Sequence, residues 1–189
     1  MELLFRDETY PEDGDFDIFL KALESDLMQI DSQVSLRSAN IGKGADYPVV
    51  LAQMFAGFSW PSAAIVAGPV AFFFLGKRIK ENTDAWLDLA KKLSELLKKR
   101  KPLRVDAKGG FLIAVNALRN ENFKISDFDV SIQTVEHVDL GSMIATVGNL
   151  DRNPDATYQI TFYRHGESHT FVIESTGEIL FRRRFISNL

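Results

Sequence analysis

A chain of 189 residues is long enough for one large domain or two small ones, and its ordinary apolar and charged fractions exclude a disordered chain and a polytopic membrane protein as first readings. Cysteine is absent, which excludes a disulfide framework, a thiol nucleophile and Cys-ligated zinc or iron–sulfur sites, and agrees with a reducing compartment. The net charge is a mild −4 but unevenly spread: residues 1–46 hold eleven acids against four bases, and residues 77–101 hold nine bases against four acids. Charge complementarity within the chain is the reading preferred over a nucleic-acid partner, which is not expected.

Residues 1–5 read as a short strand, and the acidic start without an apolar h-region leads to the expectation of a cytoplasmic protein, with inner-membrane association as the alternative. From Asp15, a candidate N-cap, Phe16, Phe19, Leu20, Leu23 and Leu27 recur at helical spacing. Val34 and Leu36 suggest a strand ending at the turn Gly42-Lys43-Gly44. That turn lacks the Gly-Lys-Ser/Thr of a phosphate loop, and Tyr47 stands where a dinucleotide fingerprint needs its third glycine, so an ordinary turn is preferred. Gly57-Phe58-Ser59-Trp60-Pro61 begins like a nucleophile elbow but has proline in place of the final glycine.

Residues 47–76 contain no charge, a length sufficient to cross a bilayer of about 30 Å as a helix. Pro61 and Pro69 would both interrupt that helix. The expectation is two short apolar helices, residues 49–60 and 62–75, buried in the fold or in an oligomer; the alternative is membrane insertion of residues 49–75. Thr83-Asp84 opens a second amphipathic helix over residues 83–100, with Trp86, Leu87, Ala90, Leu93, Leu96 and Leu97 on one face, a basic C-terminal cluster and Pro102 beyond it.

That proline marks the expected boundary between an α/β part, residues 1–101, and a helix plus antiparallel sheet, residues 102–189, which could also pack as one domain. A helix is expected around residues 111–118. Phe128, Val130 and Ile132 then alternate with polar residues, as do Tyr158, Ile160 and Phe162, and turns at His165-Gly166-Glu167 and Thr176-Gly177 join further strands. The fold class is therefore α+β, with a helix covering the apolar face of a β-meander.

A helix followed by antiparallel strands over residues 102–189 resembles the cystatin-like or PepSY-like class of small folds, which implies topology alone. Gly42-Lys43-Gly44-Ala45-Asp46-Tyr47-Pro48, ahead of a small-residue apolar segment and the helix around Trp86, resembles small uncharacterised domains of bacterial conflict systems that accompany effector modules. That resemblance covers residues 30–105 and implies an accessory or adaptor role with no catalytic residues to carry over.

Chemistry-bearing residues are sparse. His165, His169 and Glu167 flank one turn and, with His137, have the types to hold zinc, but solvated turn residues are the preferred reading, and no metal or cofactor is expected. The triplet Arg182-Arg183-Arg184 is the most informative anomaly. Strict alternation puts Ile179, Phe181 and Phe185 on one face with Arg183, so Arg183 points inward and would need an anion or carboxylate; a bulge or the end of the sheet would relieve it. This arrangement makes Arg183→Ala more destabilising than Arg182→Ala. Arg183, Arg184 and Tyr163 are the candidate anion or partner site, and no catalytic residue is assigned. The expected function is non-enzymatic interaction or regulation through a protein partner or a homo-oligomer. An enzyme acting across a face bearing Ser131, Gln133, Thr161, Tyr163 and Arg184 is the second alternative.

Overall fold

The computed structural model describes residues 1–7, 15–39, 49–54, 65–67, 70–74, 83–136 and 156–187. Its elements run β1 (Glu2–Arg6), α1 (Phe16–Met28), β2 (Ser35–Ala39), β3 (Val49–Gln53), β4 (Ile65–Ala67), β5 (Val70–Phe74), α2 (Thr83–Lys99), β6 (Arg104–Val105), α3 (Ala107–Asn120), a single 3-10 turn (Ile125–Asp127), β7 (Asp129–Glu136), β8 (Ala156–Arg164), β9 (Glu167–Glu174) and β10 (Ile179–Ile186). Among the described residues these strands form two antiparallel sheets, one of four strands in the order β2-β3-β1-β6 and one of six in the order β10-β9-β8-β7-β5-β4. The class is α+β.

The apolar segment corrects an expectation. Where buried helices were expected within residues 49–75, the described residues form β3, β4 and β5. β3 is paired on both sides, Val50 with Phe5 of β1 and with Ser38 of β2, and Val49, Val50 and Ala52 are buried. Val49 and Leu51 alternate with Val50 and Ala52, so both faces of the run are apolar and period alone cannot distinguish it from a buried helix; short runs rich in β-branched and aromatic residues are what mark it as sheet. No helix among the described residues is long and apolar enough to cross a membrane. The Gly42-Lys43-Gly44 turn and the Gly57–Pro61 motif lie outside the described residues.

The helices follow their sequence signals. Asp15 caps α1 by accepting from the Asp17 N–H at 3.0 Å. Asp106 caps α3 through Oδ1, which accepts from the Gly109 N–H at 2.9 Å, while its Oδ2 accepts from the Glu2 N–H at 2.9 Å and so ties the helix start to β1. α3 ends in a Schellman turn, with Asn122 at φ 63°, its N–H on the Arg119 carbonyl and the Phe123 N–H on that of Leu118. α1 meets α2 where Asp26 takes Lys99 at 2.5 Å and Arg100 at 3.0 Å, which joins the acidic N-terminal segment to the basic end of α2. Burial pushes the Asp26 carboxyl up, but the bonds from Lys99 and Arg100 outweigh it and hold it below the usual carboxylate range.

α3 lies against strands of both sheets, and one apolar core runs from Leu3 and Phe5 through Leu93 and Phe111 to Phe162 and Phe171. A chain of aromatic contacts threads it: Trp86 meets Phe111 edge-on at 5.4 Å, Phe111 stacks on Phe162 at 6.0 Å, and Phe162 meets Phe171 edge-on at 6.0 Å. Two glycines allow α3 to come this close. A Cβ on Gly109 would stand 2.2 Å from Val105 Cγ1, and one on Gly110 would stand 2.9 Å from the Tyr158 ring. The Tyr158 hydroxyl donates to the Val105 carbonyl at 2.8 Å, and the Val105 N–H donates to Ser175 O at 2.6 Å, which fastens β6 to the larger sheet.

Candidate interaction surface

The alternation of β8 and β9 sorts the larger sheet into two faces. Ala156, Tyr158, Ile160 and Phe162 of β8, with His169, Phe171 and Ile173 of β9, are buried under α3. The opposite face carries Gln159 and Tyr163, exposed, and Thr161, Ser168, Thr170 and Val172, half-buried. Cross-strand register sets its rows as Tyr163–Ser168–Phe185, Thr161–Thr170–Arg183 and Gln159–Val172–Phe181. The two threonine hydroxyls of the middle row are 3.2 Å apart, a cross-strand hydrogen bond.

β10 departs from strict alternation, and this corrects the inward assignment of Arg183. Ile179 pairs with Ile173, but Phe181 pairs with Val172, so one extra residue is inserted in β10 between them. Beyond this bulge the faces exchange. Arg182 and Arg184 stand opposite the buried Phe171 and His169, while Phe181, Arg183 and Phe185 share the open face. Arg183 is exposed and makes no ion pair among the described residues. Its pairing with Arg184 as one site therefore fails geometrically: Tyr163 and Arg183 lie on the open face, and Arg184 lies on the other. Of the polar set proposed for an enzyme, Ser131, Gln133, Thr161 and Tyr163 occupy the open-face register and Arg184 does not.

Arg182 and Arg184 are each held. Arg182 pairs with Glu121 at the end of α3 and lies over the Phe171 ring, 5.0 Å from its centroid. Arg184 donates to Glu167 through Nε at 2.9 Å and Nη2 at 2.8 Å, and lies 5.2 Å from the Phe123 centroid. Glu167 is the centre of this network. Besides Arg184 it takes the guanidinium of Arg164, with Nε at 2.7 Å, and His169 Nε2 at 3.0 Å. Burial would raise its carboxyl, but the hydrogen bonds from Arg164, His169 and Arg184 outweigh that and bring it down to about 2.

His169 is fully buried between Phe123 and Phe128, at 4.4 and 5.5 Å, and its Nδ1 has no hydrogen-bond partner among the described residues. His165 is exposed at the turn, so the two histidines are not brought together, and His137 lies outside the described residues. Sequence reading did not anticipate this cluster. Its signal was the backward extension of the Phe171 and Ile173 alternation, which puts His169 and Glu167 on the covered face.

Around the network, β10 also exposes apolar side chains. Of the eight large apolar side chains exposed among the described residues, five are on β10: Ile179, Leu180, Phe181, Phe185 and Ile186, the last two at 55%. Tyr163 adjoins Phe185 in the row through Ser168. β10 is also an edge, with β9 on one side and no strand among the described residues on the other. An eight-residue edge strand with apolar side chains and free backbone groups can template another strand or take an apolar partner. Comparison with protein-family models, with curated proteins and with solved structures finds no match, so the reading of this surface stands on its own geometry.

Proposed function

We propose that the chain is a protein-interaction module that acts by binding rather than by catalysis, and that β10 with the adjoining open sheet face is its binding surface. The observation that carries the reading is the concentration of exposed apolar side chains on a single edge strand. Scattered apolar residues are ordinary on a protein surface, but five exposed on one edge strand, Phe181 and Phe185 among them on its open face, are costly to leave in water and are retained where a partner covers them. The ion pairs beneath keep β10 in place without a partner, because Glu121 and Glu167 anchor the two inward arginines. An accessory role beside an effector, which the resemblance of residues 30–105 implies, is one setting for such a surface.

A photo-crosslinking residue placed at Phe185 tests the proposal against one placed at Glu24, an exposed position on α1. The proposal expects a discrete protein adduct from position 185, reproduced with the purified partner and lost in Phe181→Glu. Adducts from the two positions that are indistinguishable would remove the assignment of function to this surface.

A further inference from the structure

β10 offers two features to an incoming strand, backbone groups along its edge and a side-chain pattern along its open face. The backbone polarity follows from one bond, the Ser187 N–H donating to Gly166 O at 2.8 Å across the β9–β10 ladder. In an antiparallel ladder the bonded direction alternates residue by residue. The amides of Arg183 and Phe185 are therefore turned toward β9, and those of Arg182, Arg184 and Ile186 toward the free edge. The side-chain pattern is Phe181, Arg183, Phe185, all on one face at two-residue spacing, with the arginine making no ion pair among the described residues and standing between two exposed aromatic residues.

A second copy of β10 fits this pattern in shape but not in charge. Centred antiparallel pairing would set Phe181 against Phe185 on both sides of the axis, but Arg183 directly against Arg183. The same register sets Arg182 opposite Arg184 on the other face. Like charges directly opposite one another are destabilising in a ladder, and arginine along an edge is a device against self-pairing. The same arginine favours a strand that brings a carboxylate opposite it.

Resting on the interaction reading above, we propose that β10 binds a second protein by strand addition, taking an extended segment in which one Asp or Glu stands between apolar residues two positions before and two after it. The segment's backbone pairs with the free groups at Arg182, Arg184 and Ile186, its carboxylate meets the Arg183 guanidinium, and its flanking apolar side chains cover Phe181 and Phe185. Main-chain pairing supplies affinity and the alternate side chains supply selectivity.

The probe is a capped synthetic peptide of roughly ten residues, strand-forming throughout, with a central glutamate and leucines two residues to either side; its partner peptide has lysine for the glutamate. Both are titrated into the isotopically labelled chain and followed by amide shifts. The expected result is saturable binding of the glutamate peptide, roughly five- to tenfold weaker binding of the lysine peptide, and reversal of that preference in Arg183→Glu. Ile186→Pro, which removes an outward amide and no ladder bond, is expected to lose both while unfolding like the parent.

Equal affinity for the two peptides overturns the charge assignment, and binding that survives Ile186→Pro overturns strand addition. If neither peptide binds while the crosslinks from position 185 persist, strand addition is wrong and the interaction reading stands. If both binding and crosslinks are absent, both are wrong.

Discussion

Replacing Glu167 with glutamine keeps the side chain's shape and removes the charge on which Arg164, His169 and Arg184 converge. The folded carboxyl is held at about 2 against an ordinary value of 4.5, so between those limits the unfolded chain binds more protons at this site and stability rises with pH. The contribution is fully present above pH 4.5 and is lost as pH falls toward 2. A drop of this size corresponds to ~3 kcal/mol. Arg184 is half exposed and water screens its share, which lowers the expected effect to about 2 kcal/mol at pH 7. Urea unfolding of parent and variant at pH 7 and pH 3 measures it, because the difference between the two proteins cancels the other acids that titrate in the same range. The expected difference at pH 3 is less than half that at pH 7. A difference that is equal at the two pH values, or below roughly 0.5 kcal/mol at pH 7, would refute the reasoning that the carboxylate charge organises this cluster.

Three further outcomes follow from the local geometry. Asp106→Ala removes the acceptor for the Gly109 and Glu2 amides and is expected to cost about 1–2 kcal/mol in chemical denaturation. Gly109→Ala is expected to destabilise by about 1–3 kcal/mol despite alanine's better helix propensity, because its Cβ meets Val105; with Val105→Ala added, the combined loss is expected to fall short of the sum. Arg182→Ala, which breaks the pair with Glu121, is expected to lower the melting temperature more than Arg183→Ala, whose effect stays within about 0.5 kcal/mol, the reverse of the order that unbroken alternation implies.

The helices and the C-terminal meander were legible because each buries one face and wets the other. Phe16, Leu23 and Leu27, or Trp86, Leu93 and Leu96, repeat at helical spacing, and Phe128, Val130 and Ile132 alternate as a half-buried strand must. Val49 to Gln53 was misread because Val49 and Leu51 on one face alternate with Val50 and Ala52 on the other, so the run has no polar face to declare its period. Arg183 was misplaced by a single inserted residue, since a bulge reverses the sense of every later side chain and leaves no mark in composition. Glu167 and His169 were read as solvated turn residues for another reason. Glu167 is paired by arginines at positions 164 and 184, and only the register of β9 with β10 brings Arg184 to it.

The central claim, that β10 is an open edge awaiting a partner, is tested most directly by residue-resolved amide exchange on the isolated protein. The account predicts alternation: slow exchange at Arg183 and Phe185, whose amides face β9, and fast exchange at Arg182, Arg184 and Ile186, whose amides face outward. Uniform protection along β10, unchanged on dilution, would show that the edge is already covered within the chain and would contradict the account.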